Sequence, residues 1–97
     1  MPPVILEDRD VVGAGRYLRE VRISTFPPGA DFLEGVRYSL CLVDRNTGEV
    51  VLLYDIHRGK PHHRHLRGRE TPYTFVDEYT LLTDFLHEVD LIVEGKL

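Results

Sequence analysis

The chain has 97 residues, 42% apolar and 29% charged, with a formal net charge of −4, which leaves room for one hydrophobic core and a single domain over residues 1–97. No apolar run approaches the roughly 20 residues needed to cross a bilayer, and Met1-Pro2-Pro3-Val4-Ile5-Leu6-Glu7-Asp8 lacks the basic and apolar regions of a signal peptide. The lone Cys41 excludes an internal disulfide and a thiolate-rich zinc site, so a reduced, cytoplasmic protein without a membrane partner is expected.

Val4–Leu6 and Arg9–Val12 are short β-prone pieces, broken by charge, and Gly13-Ala14-Gly15 is a turn. Arg16 to Thr25 reads as a strand with Tyr17, Val21 and Ile23 on one face and Arg16, Glu20 and Arg22 on the other. Phe26-Pro27-Pro28-Gly29 ends it. Val36–Val43 alternates most clearly, with Val36, Tyr38, Leu40 and Leu42 against Arg37, Ser39 and Cys41. Asp44–Glu49 is a hairpin loop in which Asn46 and Gly48 can take positive φ. Val50–Asp55 returns as a partner strand, apolar on both faces up to Tyr54, as a central strand would be.

Pro72-Tyr73-Thr74-Phe75 is extended, and Asp77 has the chemistry of a helix N-cap. From Glu78 onward Tyr79, Leu82, Phe85, Leu86, Val89, Ile92 and Val93 recur at helical spacing, a core-facing stripe about 140° wide. Leu91 points away from that stripe. The fold class that follows is α+β: an antiparallel sheet of about four to five strands covered on one face by a C-terminal amphipathic helix. The other sheet face is solvated or buried by a second chain, which leaves a homodimer open.

The chemistry concentrates in Ile56–Arg69. This segment holds Arg58, Lys60, Arg64, Arg67 and Arg69 and none of the sixteen acidic residues, leaving seven cations against sixteen anions elsewhere. It also holds His57, His62, His63 and His65, four of the five histidines. Such asymmetry is a statement about partners. Breaking an RNA phosphodiester through its 2′-hydroxyl needs a base, an acid and cations around the phosphorane; imidazoles suit both proton transfers, and guanidinium or ammonium groups suit the charge. On that reading His57 with His63 or His65 forms the acid–base pair, and Asp55 orients one imidazole. Lys60 and Arg64 lead the phosphate ligands, with Arg58, Arg67 and Arg69 beside them.

Two alternatives stay open. One is a non-catalytic module that grips nucleic acid or an acidic partner; the other is a transition-metal site of His57, His63 and His65. A solvated loop whose histidines only cap turns is the plainest account. No cofactor is expected: Gly13-Ala14-Gly15 precedes no helix, and Ser24 and Ser39 lack a nucleophile motif.

The order Tyr54-Asp55, Arg58-Gly59-Lys60, His63-Arg64-His65, then Gly68-Arg69-Glu70-Thr71-Pro72-Tyr73-Thr74-Phe75, resembles the signature of the TumE family. Leu81-Leu82-Thr83-Asp84-Phe85 resembles that family's helical run, and the similarity extends from Val36 to Val89. Ile56 stands where the family pattern has asparagine, and Pro61-His62 where Gly-Asp is usual. The resemblance implies a toxin of a prokaryotic toxin–antitoxin pair, inhibited by a cognate antitoxin of helix-turn-helix type, and by class a toxin with RNA among its targets.

Overall fold

The computed structural model describes residues 5–29, 32, 34–57 and 59–97. Six strands precede one helix: β1 (Ile5–Val12), β2 (Tyr17–Thr25), β3 (Val36–Asp44), β4 (Val50–Asp55), β5 (His63–Leu66), β6 (Arg69–Pro72) and α1 (Glu78–Val93). Each strand pairs antiparallel with the next, so the sheet runs in chain order from β1 to β6. The α+β class stands, with a strand count slightly above the expected four to five.

The extra strands come from the two ends of the sheet. Apart from Val4, which lies outside the described residues, the β-prone pieces near the N-terminus are one continuous strand, β1, whose Glu7, Asp8, Arg9 and Asp10 are all exposed. It is an edge strand, where charge discourages further pairing, and its register with β2 sets Glu7 3.2 Å from Arg22 and Asp8 3.0 Å from Arg19. At the other edge the histidine-rich segment closes into the hairpin β5–β6. Its two turn residues, Arg67 and Gly68, have φ of 49° and 82°, the pattern of a tight hairpin with positive φ at both central positions.

Gly48 takes the positive φ of the β3–β4 hairpin, and Asn46 does not; its N–H donates instead to Asp44 Oδ1 at 2.8 Å. Among the described glycines, Gly35 has the tightest surroundings. Its φ is 70°, and a Cβ there would lie 2.5 Å from the Phe26 carbonyl oxygen that closes off β2.

Strand alternation divides the sheet into a covered face and an open face. Tyr17, Val21 and Ile23 of β2, Val36, Tyr38, Leu40 and Leu42 of β3, and Leu52 and Tyr54 of β4 are buried with Leu81, Phe85, Val89 and Ile92 of α1. Asp77 caps the helix, its Oδ1 accepting from the Thr80 N–H at 2.6 Å.

The expected helical stripe needs correcting. Tyr79 is 80% exposed and Val93 is also exposed, while Leu91 is half-buried. On a wheel of 100° per residue the buried face is centred about 60° from the expected one, toward Asp84 and Glu88. The reason is polar: Tyr73 donates its hydroxyl proton to Asp84 Oδ2 at 2.6 Å, and Glu88 accepts from both Tyr54 and Arg64. These bonds turn two acidic residues toward the sheet, which a reading of apolar spacing alone does not foresee. Among the described residues no helix is long and apolar enough to cross a membrane.

Candidate functional site on the open sheet face

The residues left over from core building form the site. Asp55 is the last residue of β4 and pairs with His63, the first of β5; two residues on, Leu53 pairs with His65, which pairs in turn with Glu70 of β6. His63 and His65 are two apart on one strand and so share a face. His57 leaves β4 on the same side as Asp55, and the chain turns back through Gly59, where the Lys60 N–H donates to the His57 carbonyl at 3.0 Å.

Asp55 is the buried centre of this group. Its Oδ1 lies 2.7 Å from His63 Nε2 and its Oδ2 lies 3.2 Å from His57 Nε2. The rings of His57 and His63 stack with centroids 5.6 Å apart, and His65 meets His63 edge-on at 4.9 Å. Glu70 approaches from β6, its Oε1 3.7 Å from His65 Nε2 and 4.0 Å from His63 Nε2. His63 Nδ1 donates to the Pro61 carbonyl at 3.1 Å. Side-chain exposure falls from 68% at His57 to 30% at His65 and 13% at His63, so the outer two imidazoles flank an enclosed one. A groove of about 730 Å³ opens over the group, bordered by Lys60 and Thr71 as well as the imidazoles.

Asp55, His57, His63 and His65, expected to act together, are therefore brought together. The cations are dispersed. Arg64, between two site histidines, projects to the covered face, where its guanidinium holds both oxygens of Glu88. The Glu88 contact raises the Arg64 pKa; burial would raise that of Glu88, but the bonds from Arg64 and Tyr54 outweigh it and hold it below the usual carboxylate range. Arg64 is thus not among the groups at the groove, because strand alternation sends neighbours to opposite faces. Arg67 is in the β5–β6 turn, donating to the Leu97 carbonyl at 3.2 Å, and Arg69 pairs with Leu66 at the same end. Lys60 borders the groove, and Arg58 lies outside the described residues.

His62 borders the same groove but takes no part in the contacts to Asp55 and Glu70. Its ring stacks on Phe75 at 4.8 Å and on Tyr38 at 5.7 Å, with Nδ1 2.7 Å from the Tyr38 hydroxyl, so it packs the core rim. Burial, with Asp55 and Glu34 nearby, pushes the Tyr38 phenol well above its ordinary value.

Sequence reasoning missed Glu70 and Arg37. Arg37 is exposed on the polar face of β3 and shares a second groove, about 330 Å³, with Asp55 and His57. The alternation of β3 marks its face, but its proximity to His57 depends on strand register. The segment free of carboxylates in sequence is not free of them in space, since Asp55 and Glu70 flank it and fold onto its imidazoles.

A small antiparallel meander, one face under a helix and the other bearing a cluster of three imidazoles and two carboxylates, is the class of protein these features define. A family model described as Toxin TumE matches residues 5–93. The chain belongs to the TumE toxin family. No curated protein and no solved structure matches it.

Proposed function

We propose that this TumE-family toxin acts on RNA, as an endoribonuclease whose active site is the imidazole cluster on the open sheet face. The observation that carries the reading is the meeting of His57 and His63 on Asp55, with His65 edge-on against His63, beside an accessible groove. Cleavage through the 2′-hydroxyl needs two proton-transfer groups placed on either side of one phosphate. His57 and His65 flank His63 and are the more exposed rings, which suits them to meet substrate; His63, enclosed over Asp55, positions them. Lys60 and Arg37 line the two grooves and replace Arg64 as phosphate ligands, stabilising charge as the phosphorane forms, while Arg22 of the second groove is paired with Glu7. A cognate antitoxin, of helix-turn-helix type on the family's pattern, inhibits by covering this face.

The test is induced expression in a bacterial host, with total RNA assayed for cleavage and circular dichroism as a check on folding. Wild type arrests growth and cuts RNA; His57→Ala and His65→Ala fold normally and lose both effects by roughly the 10²–10⁴-fold typical of a lost proton-transfer group. Arrest by both variants at the wild-type level refutes the reading. RNA binding that falls steeply with salt, without cleavage, replaces it with a non-catalytic module.

A further inference from the structure

From the geometry around Asp55 we infer that the open face carries a binding site for a first-row divalent transition ion, ligated by Asp55, His57 and His63. The argument starts from one proton. The Pro61 carbonyl can only accept, so the hydrogen bond it makes with His63 puts a proton on Nδ1. In the neutral ring Nε2 then presents a lone pair, and that lone pair lies 2.7 Å from Asp55 Oδ1. Asp55 Oδ1 is buried, and with the His63 proton on Nδ1 it receives no hydrogen bond among the described residues. Two electron-rich atoms at this distance need a cation between them, and either a second proton on the ring or a metal ion fills that role; the third donor, His57, is what points to the ion.

His57 supplies a third donor, its Nε2 3.2 Å from the other oxygen of Asp55. One ligand atom from each of the three residues lies within 4.8 Å of the others. Two atoms held tetrahedrally by zinc at its usual ligand distances are about 3.3 Å apart, close to the 3.2 Å between His57 Nε2 and Asp55 Oδ2; the 2.7 Å between His63 Nε2 and Asp55 Oδ1 lengthens when an ion enters. The hydrogen bond from His63 Nδ1 to a backbone carbonyl is the outer support that ligating histidines ordinarily have, fixing tautomer and ring direction.

The donor set selects the ion. Two imidazoles and one carboxylate suit zinc, nickel or copper; a magnesium or calcium site is built from oxygens. Three protein ligands leave a further position on the side where His57 is open to solvent, so the ion keeps an exchangeable water. The sequence-level alternative used His65 as the third imidazole. Here Asp55 takes that place, and His65 borders the site from the side of Glu70.

The site shares residues with the RNA reading and rests on it only in treating the open face as the working face. A lone pair bound to metal cannot accept a proton, so bound ion and proton transfer by His57 exclude one another.

The test uses tag-free, chelator-treated full chain titrated with Co²⁺, followed by its visible absorption and by competition with Zn²⁺. One equivalent of Co²⁺ produces the bands of a low-coordinate site, and Zn²⁺ abolishes them. Asp55→Asn and His57→Ala weaken binding by more than the roughly 10–100-fold that loss of an outer-shell partner costs, whereas His65→Ala retains it. His57 is largely exposed, so its variant tests the site without endangering the fold. Failure of wild type to bind at stoichiometric concentration, or equal binding by His57→Ala, overturns the inference. RNA cleavage by the metal-free, chelator-treated chain separates the two claims: cleavage there by a chain that binds no Co²⁺ removes the ion alone, and Co²⁺ binding by a chain whose metal-free form does not cleave removes the RNA reading alone.

Discussion

The pair Arg64–Glu88 allows the division between faces to be measured. Replacing Glu88 with Leu strands a guanidinium and the Tyr54 hydroxyl on the covered face; replacing Arg64 with Met strands a carboxylate. Breaking a fully buried pair costs about 3–5 kcal/mol. These side chains are 20% and 17% exposed, so water screens part of the loss and about 2–3 kcal/mol is expected for each single change. For a domain of this size that lowers Tm by roughly 10–20 °C. The double variant, with no charge left unpaired, is less destabilised than the sum of the singles by about 1–3 kcal/mol. Urea denaturation followed by far-ultraviolet circular dichroism reads all four proteins. The sign with pH follows from Glu88, whose folded pKa is depressed. Its contribution is present above the unfolded carboxylate value and is lost as pH falls through the folded one, so acid erodes the wild type more than the double variant. Additive single changes of less than about 0.5 kcal/mol, combined with loss of RNA cleavage in Arg64→Met, would refute the argument and return Arg64 to the substrate side.

Three other substitutions and one reaction test the fold directly. Tyr79→Ser changes stability by no more than about 0.5 kcal/mol, whereas Phe85→Ala costs about 3–5 kcal/mol; chemical denaturation of the pair checks where the helix buries its face. Gly35→Ala forces a Cβ against the Phe26 carbonyl at positive φ and should cost at least about 1 kcal/mol in the same assay. Burial, aided by Glu20, raises the Cys41 thiol pKa above its ordinary value, so its thiolate is scarce near neutral pH. A thiol reagent therefore reacts several-fold more slowly with the native chain than with the urea-unfolded one, a difference that stopped-flow absorbance resolves.

The parts of this structure legible in the sequence are those where alternation is clean. Val36, Tyr38, Leu40 and Leu42 announce both β3 and its buried side, and Asp77 announces the helix start. β1 is hidden because an edge strand needs no apolar face; its pattern is one of charge against Arg19 and Arg22. The short strand that begins at His63 is legible in the spacing of His63 and His65, but the turn that pairs it with β6 is hidden because Arg67, a side chain that rarely takes positive φ, holds a position where asparagine or glycine is the usual signal. The shared face of His63 and His65 follows from their spacing, and so, by the same rule, does the opposite direction of Arg64. Treating Ile56–Arg69 as one basic loop conceals that. The approach of Asp55 and Glu70 follows only from register across three strands, and no local pattern encodes it.

Register is also what links the clamp on the covered face to the chemistry on the open one. β5 is four residues long, and a slip of one residue against β4 would send His63 and His65 inward and Arg64 outward. So short a strand has few ladder bonds to resist such a slip. Arg64 resists it: held by Glu88 of the helix, its side chain can reach its partner in only one register, and that register leaves His63 on Asp55 and His65 on the same face beside Glu70. The helix thereby positions a site it does not touch. Glu88→Leu should accordingly loosen β5 before the rest of the sheet unfolds, seen as faster amide exchange in His63–Leu66 than in Leu40 and Leu42 of β3. Uniform acceleration across β3, β4 and β5 would show instead that Glu88 supports the fold as a whole and that the register of β5 is held by its backbone alone.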